Sequence, residues 1–216
     1  MSASPRHPKA PPIPPHAGVE VLEDRVAYGG RFAMQIVRFR YTRFDGQPSS
    51  VLTWELWRRG QGVAMLPWDP VTDRIALIEQ FRLPALAAGL PAIMTECPAG
   101  LLEPTEEPER AARRETREET GLEPIRMARV GEFMLMQGGC DEVMHYYIAQ
   151  VSLSEGAAPR THGLAHEGED TRVLVMPAEE AFRMVAEGRI ANVTAATLIL
   201  WLQVNRERLR REWTAA

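Results

Sequence analysis

The stretch that decides the fold runs from Gly100 to Leu122 and reads GLLEPTEEPERAARRETREETGL. The sequence predicts one long charged helix within it, from Glu106 to Thr120. Thr105 belongs to the residue types that commonly cap helix N-termini, and Gly121 can end the helix in a left-handed conformation. A proline in the first turn is tolerated, because the amide N–H that it lacks has no partner inside a helix.

Three carboxylates project from one face of this predicted helix. Glu115, Glu118 and Glu119 are three or four residues apart, a spacing that places side chains next to each other. Clustered negative charge destabilises a helix unless cations lie among it, and Mg²⁺ binds through a few carboxylates, water and substrate phosphates. The helix also carries four arginines. On the helix alone, a solvated face with Arg–Glu pairs is therefore the better interpretation.

The wider pattern reverses that interpretation, because it resembles the signature of the Nudix hydrolases, GX5EX7REUXEEXGU, in which U is a bulky apolar residue. One position departs from the signature, since Thr116 stands where an aliphatic residue is usual. Matching residues over a 23-residue stretch are a far more specific signal than a lone glycine motif. The eight that match at the required spacing are Gly100, Glu106, Arg114, Glu115, Glu118, Glu119, Gly121 and Leu122.

The resemblance implies an α/β fold, the Nudix α/β/α sandwich with a mixed sheet, and hydrolysis of a nucleoside diphosphate linked to another moiety. It implies Glu115 and Glu119 as the main metal ligands, with Glu118 contributing. Arg114 would orient these carboxylates, and the carbonyl of Ala99 would reach a metal. The implied cofactor is Mg²⁺, with Mn²⁺ as the other candidate ion, since a metal neutralises an anionic pyrophosphate and lowers the pKa of an attacking water.

Similarity to the bacterial ADP-ribose pyrophosphatases within this superfamily extends from about Val51 to Trp213. Residues 96–100, ECPAG, are similar to the E-x-P-A-G segment that precedes the signature in that branch. Residues 78–82, IEQFR, are similar to its EQ-[FY]-R segment, whose arginine contacts substrate. The resemblance makes Arg82 a candidate to hold the diphosphate or the terminal ribose. Without it, Arg82 would be as well explained as a surface arginine on a strand.

Residues 53–55, TWE, followed by Arg59, resemble the adenine-recognition strand of related enzymes. Trp54 would stack on the base, with Glu55 and Arg59 nearby; a buried place in the core is the other interpretation of this tryptophan. Glu142 matches a family residue near the terminal ribose. Because family members are commonly dimers whose N-terminal strands help build the partner's site, we expect a homodimer in which Trp54 acts across the interface.

A second resemblance to the same branch lies at residues 163–175, GLAHEGEDTRVLV, which are similar to its catalytic loop. It implies Glu167 as the general base and Glu169 as an additional metal contact. Taken alone, a glycine-flanked acidic segment would be plain surface chain. One departure bears on the substrate, since Gln137 stands where ADP-ribose enzymes usually carry a proline.

The rest of the chain predicts a mixed α/β arrangement of strands with a helical end. Helices are expected at residues 177–188 and from Asn192 to about Trp213, and Asn192 can cap the second one. Turn signals between runs of β-branched and aromatic residues predict antiparallel strands before residue 60. The expected organisation is a disordered Pro-rich tail at 1–18, a small β subdomain for dimerisation and adenine recognition at 19–60, and the catalytic domain at 61–216.

The composition narrows the class of protein. The net charge of −4 leaves no basic excess for general nucleic-acid binding. No signal-peptide core is present, and the apolar stretch at 193–204 is too short to span a bilayer, so we expect a soluble protein without a membrane partner. Cys97 and Cys140 lack the paired spacing of a zinc site or redox motif, which favours a reducing compartment such as the cytoplasm.

The sequence therefore predicts Mg²⁺-dependent hydrolysis of ADP-ribose to AMP and ribose 5-phosphate. A nucleotide sugar such as GDP-mannose, or NADH, is the alternative substrate, because residues outside the signature determine it. A Nudix module that binds an ADP-ribose-type ligand without hydrolysing it is a second alternative, and the complete set of carboxylates argues against it. A purely structural protein would leave the signature unexplained.

Overall fold

The computed structural model describes residues 10–153, 161–162 and 170–214. The chain forms two compact units. The first consists of residues up to 61 together with 134–143, and the second of residues 62–133 together with the chain from 144 onward. The prediction of an α/β fold preceded by a small antiparallel β unit is confirmed. No helix in the described ranges is long and apolar enough to cross a membrane.

The first unit is built on a three-stranded antiparallel sheet. Its strands are β1 (Val19–Gly29), β2 (Ala33–Tyr41) and β3 (Leu52–Arg58), in the order β1–β2–β3. The antiparallel strands predicted before residue 60 are confirmed. Each contains the β-branched or aromatic residues that favour strands, and a glycine pair follows at the end of the first. One face of β2 is buried and carries Gln35 and Val37.

The residues before β1 make specific contacts where they are described. The Ile13 amide donates to the Asp24 carboxylate at 3.3 Å, and the Gln35 side chain donates to the Pro11 carbonyl at 3.5 Å. Ala10 is fully buried. Prolines leave a segment extended, and an extended segment can still offer its carbonyls to a neighbouring strand. The disordered tail at 1–18 stays a prediction.

A distant segment, residues 134–143, joins the first unit. The Trp57 amide donates to the Gly139 carbonyl at 2.8 Å, and the Asp141 amide donates back to the Trp57 carbonyl at 3.2 Å. An ion pair between Arg58 and Asp141, at 3.0 Å, reinforces this pairing. The sequence placed the segment with the catalytic domain. The pairing joins residues far apart in the chain, which local patterns do not reveal, and the boundaries at 19–60 and 61–216 stay a prediction.

The second unit contains an eight-stranded sheet, whose strands are β4 (Gln61–Asp69), β5 (Arg74–Phe81), β6 (Ile93–Glu96), β7 (Ala99–Leu101), β8 (Arg126–Met134), β9 (Val143–Gln150), β10 (Thr161–His162) and β11 (Thr171–Pro177). Their order is β10–β11–β5–β4–β9–β8, with β6 paired to β5 and β7 to β4. Helix α2 (Pro108–Thr120) lies on this sheet through two small residues, Ala111 and Ala112, which pack in one core cluster with Val63 and Tyr147.

The described residues of this unit form four helices, α1 (Leu83–Ala87), α2 (Pro108–Thr120), α3 (Ala178–Ala186) and α4 (Val193–Thr214). The predicted Asn192 cap is confirmed, because its side chain accepts the Ala195 amide at 2.9 Å. The predicted Thr105 cap is wrong. Helix α2 begins two residues later than expected, after Glu107, and Thr105 has a φ of 68°, which turns the chain before the helix starts.

A cluster of charged and aromatic side chains ties α4 to the turn between β4 and β5. The Trp68 indole donates to Asp73 at 3.0 Å, and the Asp73 carboxylate also pairs with Arg206 at 3.1 Å and with Arg210 at 2.8 Å. The rings of Trp68 and Trp213 are 5.8 Å apart. One carboxylate thus connects the turn to two successive turns of the C-terminal helix.

Replacing Asp73 by asparagine tests this cluster without changing the backbone, since Asp73 has a φ of 54° and asparagine tolerates that region. We expect the free energy of unfolding to fall by about 1.5–3 kcal/mol, the range for hydrogen bonds to charged groups. Urea unfolding measures the change, with Asp45→Asn in an exposed turn as the control. A loss no larger than the control's would contradict the prediction.

Candidate active site

Strand β7 and helix α2 together form the centre of the candidate site. Ala99 and Gly100 lie in β7 and pair with Ala64 and Val63 of β4. Helix α2 follows after a short loop, and its carboxylates return toward β7. The Ala99 amide donates to the Glu119 carboxylate at 2.8 Å. The loop–helix arrangement therefore holds a buried glutamate against the backbone of a sheet strand.

Gly100 is required by the close approach of Glu115. A Cβ atom at position 100 would lie 1.9 Å from the Glu115 Oε1 atom and 2.0 Å from its carboxyl carbon. No side chain fits in that space, and Glu115 is itself 8% exposed. The glycine is therefore a steric requirement of the carboxylate beside it.

Arg114 lies among the carboxylates of the helix. It donates to Glu106 at 3.0 and 3.1 Å, to Glu115 at 2.8 Å and to Glu118 at 3.1 Å. The hydrogen bonds to Glu106 are the main reason that the pKa of Arg114 is raised, and they lower the pKa of Glu106 in turn. Arg114 therefore stays charged and offsets the repulsion between neighbouring glutamates.

A second ion pair lies beside Glu119. The Cys97 thiol is buried, and burial raises its pKa, as do the nearby charges of Glu96 and Glu119. Glu96 is also buried and accepts two hydrogen bonds from Arg82, both at 2.9 Å. The carboxylates of Glu96 and Glu119 thus both lie near the Cys97 thiol, and Arg82 forms an ion pair with Glu96.

In the first unit, the structure groups another set of predicted residues. Arg59 donates to Glu142 at 2.9 Å, and its guanidinium carbon lies 4.2 Å from the Phe32 ring centroid and 4.9 Å from that of Trp57. Glu55 is exposed on the same strand as Trp54. Trp54 is 53% exposed, so its alternative interpretation as a core residue does not hold.

Two sequence comparisons identify the family. The NUDIX domain family matches residues 58–196. The chain is also 37% identical over 195 residues to the ADP-ribose pyrophosphatase of Escherichia coli (strain K12), which covers 90% of this chain and 92% of that protein. The chain belongs to the Nudix family. Its signature segment, residues 100–122, is the Nudix box around which the carboxylates gather.

Other proteins similar to this chain carry different names. The GDP-mannose pyrophosphatase of Klebsiella pneumoniae is 32% identical over 190 residues, covering 87% of this chain and 92% of that protein. The crystal structure of an ADP compounds hydrolase has a TM-score of 0.64 and 17% identity, covering 89% of this chain and 98% of that one. At 17% identity, the likeness to this crystal structure supports the fold and nothing about function.

The Nudix box has the right donors for a divalent cation. Within residues 10–153, 161–162 and 170–214, no three His, Cys, Asp or Glu side chains are already arranged to hold a metal. The donor set is nevertheless carboxylate oxygens with a nearby backbone carbonyl at Ala99, which hard cations such as Mg²⁺ prefer. Here Arg114 supplies the positive charge among these oxygens. The residues therefore fit a cation that would share the carboxylates with Arg114.

Two predicted residues, Glu167 and Glu169, lie outside the described residues. Gln137, which stands where a family proline is usual, is exposed in the segment that joins the first unit. Two further residues touch the site and do not follow from the sequence patterns. Glu96 belongs to the segment at 96–100, where an acidic residue shortly before a signature glycine could have suggested an ion pair. Thr171 carried no local signal.

Substitution of Gly100 by alanine tests the close approach to Glu115. The added methyl must displace the carboxylate from Arg114, and we expect a loss of about 1–3 kcal/mol in the free energy of unfolding, typical of overpacking. Chemical denaturation measures it. Gly18→Ala is the matched control, because its Cβ would meet ordinary contacts of 3.5 Å or more. Equal stability of the two variants would show that Glu115 relaxes at no cost.

Proposed function

We propose that this Nudix protein hydrolyses the pyrophosphate of ADP-ribose to AMP and ribose 5-phosphate in the presence of Mg²⁺. The observation that carries the proposal is the pair of buried carboxylates, Glu115 and Glu119, held against Gly100 and the Ala99 amide. Burying two negative charges on one helix face is costly, and a divalent cation would add to the compensation that Arg114 already provides. The name of the relative at 37% identity supports ADP-ribose as the substrate.

The cation would be held by Glu115 and Glu119, with Glu118, the Ala99 carbonyl and Glu169 as further candidates. When bound, Mg²⁺ or Mn²⁺ supplies charge neutralisation at the diphosphate and a lower pKa for an attacking water. Glu118 remains partly exposed, with its side chain 27% accessible, so it can reach either the cation or its water shell.

The chain's own residues would orient the substrate around that site. The Arg82 guanidinium is fixed by Glu96 and its side chain stays 39% exposed, which suits an anionic diphosphate. In the homodimer inferred below, Trp54 of one protomer would stack on the adenine bound by its partner, with Glu55, Arg59 and Glu142 as further contacts. Glu167 is the proposed general base, because residues 163–175 resemble the catalytic loop of the related enzymes.

A nucleotide sugar such as GDP-mannose is the second candidate substrate. The observations that favour it are Gln137 at the position of the family proline and the relative named GDP-mannose pyrophosphatase at 32% identity. Both candidates contain a nucleoside diphosphate, so they would use the same carboxylates. They differ in the base and in the terminal sugar, which lie away from the Nudix box.

We further infer a homodimer that works in the cytoplasm. The three-stranded sheet exposes large apolar side chains, including Tyr28 at 69% and Trp54 at 53%, and such surface is typical of an interface. The proposed N-terminal subdomain would then serve both dimerisation and adenine recognition. The two cysteines are free and buried, as suits a reducing compartment. Light scattering of the purified protein tests the dimer.

The central experiment measures phosphate release from ADP-ribose, GDP-mannose, ADP-glucose, NADH and diadenosine compounds, coupled to alkaline phosphatase. Each substrate is tested with and without Mg²⁺. We expect Mg²⁺-dependent release that is fastest with ADP-ribose. Preference for GDP-mannose would keep the metal chemistry and reject the substrate. Binding of ADP-ribose without turnover of any compound would refute hydrolysis and favour a binding module.

Replacing Glu119 by glutamine should lower kcat by about 100-fold or more, because a cation at the diphosphate contributes several kcal/mol to the transition state. Steady-state kinetics with ADP-ribose and saturating Mg²⁺ measures the change. Glu109→Gln is the control, since Glu109 lies on the same helix and pairs with Arg113 on its exposed side. Activity of Glu119→Gln within a few-fold of wild type would exclude Glu119 as a metal ligand.

Replacing Trp54 by alanine should raise KM for ADP-ribose about tenfold and leave kcat nearly unchanged, because base stacking contributes about 1–3 kcal/mol and is distant from the reacting bond. Phe44→Ala serves as the control, since Phe44 is a fully exposed aromatic residue of the same unit. Unchanged KM in Trp54→Ala would place base recognition elsewhere.

A further inference from the structure

Thr171 contacts the main chain of Glu119. It is the first residue of β11 and is fully buried, and its hydroxyl donates to the Glu119 carbonyl at 3.2 Å. Carbonyls in the last turn of a helix have no amide partner within that helix. Glu119 lies in the last turn of α2, which ends at Thr120. The hydroxyl of Thr171 therefore brings a hydrogen-bond donor from a strand to the last turn of the helix.

Glu119 is thus held at two places by two different strands. Its carboxylate accepts the Ala99 amide of β7 at 2.8 Å, and its carbonyl accepts the Thr171 hydroxyl of β11. Strand β7 pairs with β4 and strand β11 with β5, and all four strands belong to one sheet. Two contacts of this kind fix both the position of the residue along the helix axis and the direction of its side chain.

The neighbouring helix hydroxyls are already used within α2. Thr116 donates to the Ala112 carbonyl at 2.8 Å, and Thr120 donates to the Thr116 carbonyl, so both bond back along the helix. Both residues are buried. Their hydroxyls satisfy the helix backbone locally. The hydroxyl of Thr171 differs, because it reaches from a strand to the helix.

We infer that Thr171 is a positioning residue for Glu119 and thereby helps to set the affinity of the site for a divalent cation. The inference rests on the proposed function, in which Glu119 binds the metal. Groups that orient a metal ligand commonly change metal affinity or activity by 10- to 100-fold when removed. Valine is close to threonine in size, so Thr171→Val removes the hydroxyl with little change in packing volume.

The experiment compares Thr171→Val, Thr171→Ser and wild type in the full-length protein. Thr194→Val is the matched control, since Thr194 is a buried threonine of α4 whose hydroxyl accepts a hydrogen bond from Tyr146 at 2.9 Å. Mn²⁺ binding is measured by electron paramagnetic resonance, melting temperature by circular dichroism, and kcat and KM by phosphate release.

Thr171→Val is expected to weaken Mn²⁺ binding about tenfold and to raise the Mg²⁺ concentration for half-maximal activity similarly, with KM for substrate within about twofold. Thr171→Ser keeps the hydroxyl and should restore Mn²⁺ affinity even if it melts earlier. Thr194→Val should lower the melting temperature and leave Mn²⁺ affinity unchanged.

Unchanged Mn²⁺ affinity in Thr171→Val, or failure of Thr171→Ser to restore it, would overturn the inference. Equal weakening in Thr194→Val would also overturn it, since the effect would then follow stability. Wild-type protein that binds Mn²⁺ but hydrolyses none of the compounds would refute the proposed function. In that case the binding measurement on Thr171→Val and Thr171→Ser still decides the inference.

Discussion

Repulsion between carboxylates on one helix face is the constraint on which the rest of the structure depends. Glu115, Glu118 and Glu119 share a face of α2, and two of them are buried. Arg114 donates hydrogen bonds to the first two, and the Ala99 amide donates to the third. Each donor must be in place before the glutamates can be buried, because an uncompensated buried carboxylate costs several kcal/mol. The helix can therefore occupy only a position close to β7.

That closeness explains the small residues around α2. Gly100 leaves room for Glu115, and Ala111 and Ala112 let the helix axis approach the sheet at Val63. Larger residues at these positions would lift the helix and lengthen the contact between Ala99 and Glu119. The short distance between α2 and the sheet is therefore needed both for close packing and for the hydrogen bond between Ala99 and Glu119.

Local sequence patterns predict most of the helices and strands. The remaining features depend on contacts between segments that are distant in the sequence. The helix end at Gly121 and the cap at Asn192 follow from neighbouring residues, and the structure has both. The sequence predicted a start of α2 at Glu106, because threonine is a common N-cap residue. In the structure Thr105 has a left-handed backbone conformation, and the helix begins later. The pairing of residues 134–143 with β3 and the contact from Thr171 to Glu119 join residues many positions apart. No periodicity or spacing in a single sequence encodes such contacts.

The residues that would determine substrate preference differ from those that determine the reaction class. The Nudix box lies within 23 residues, and its spacing alone indicates the reaction class. Relatives named for ADP-ribose and for GDP-mannose match nearly the same share of the chain, 90% and 87%, at 37% and 32% identity, so proteins with the two names share most of the chain with this one. Discrimination must come from side chains that touch the base or the terminal sugar. Under the proposed function, exposed residues such as Trp54 and Gln137 would help to determine the substrate, while the Nudix box determines the reaction class.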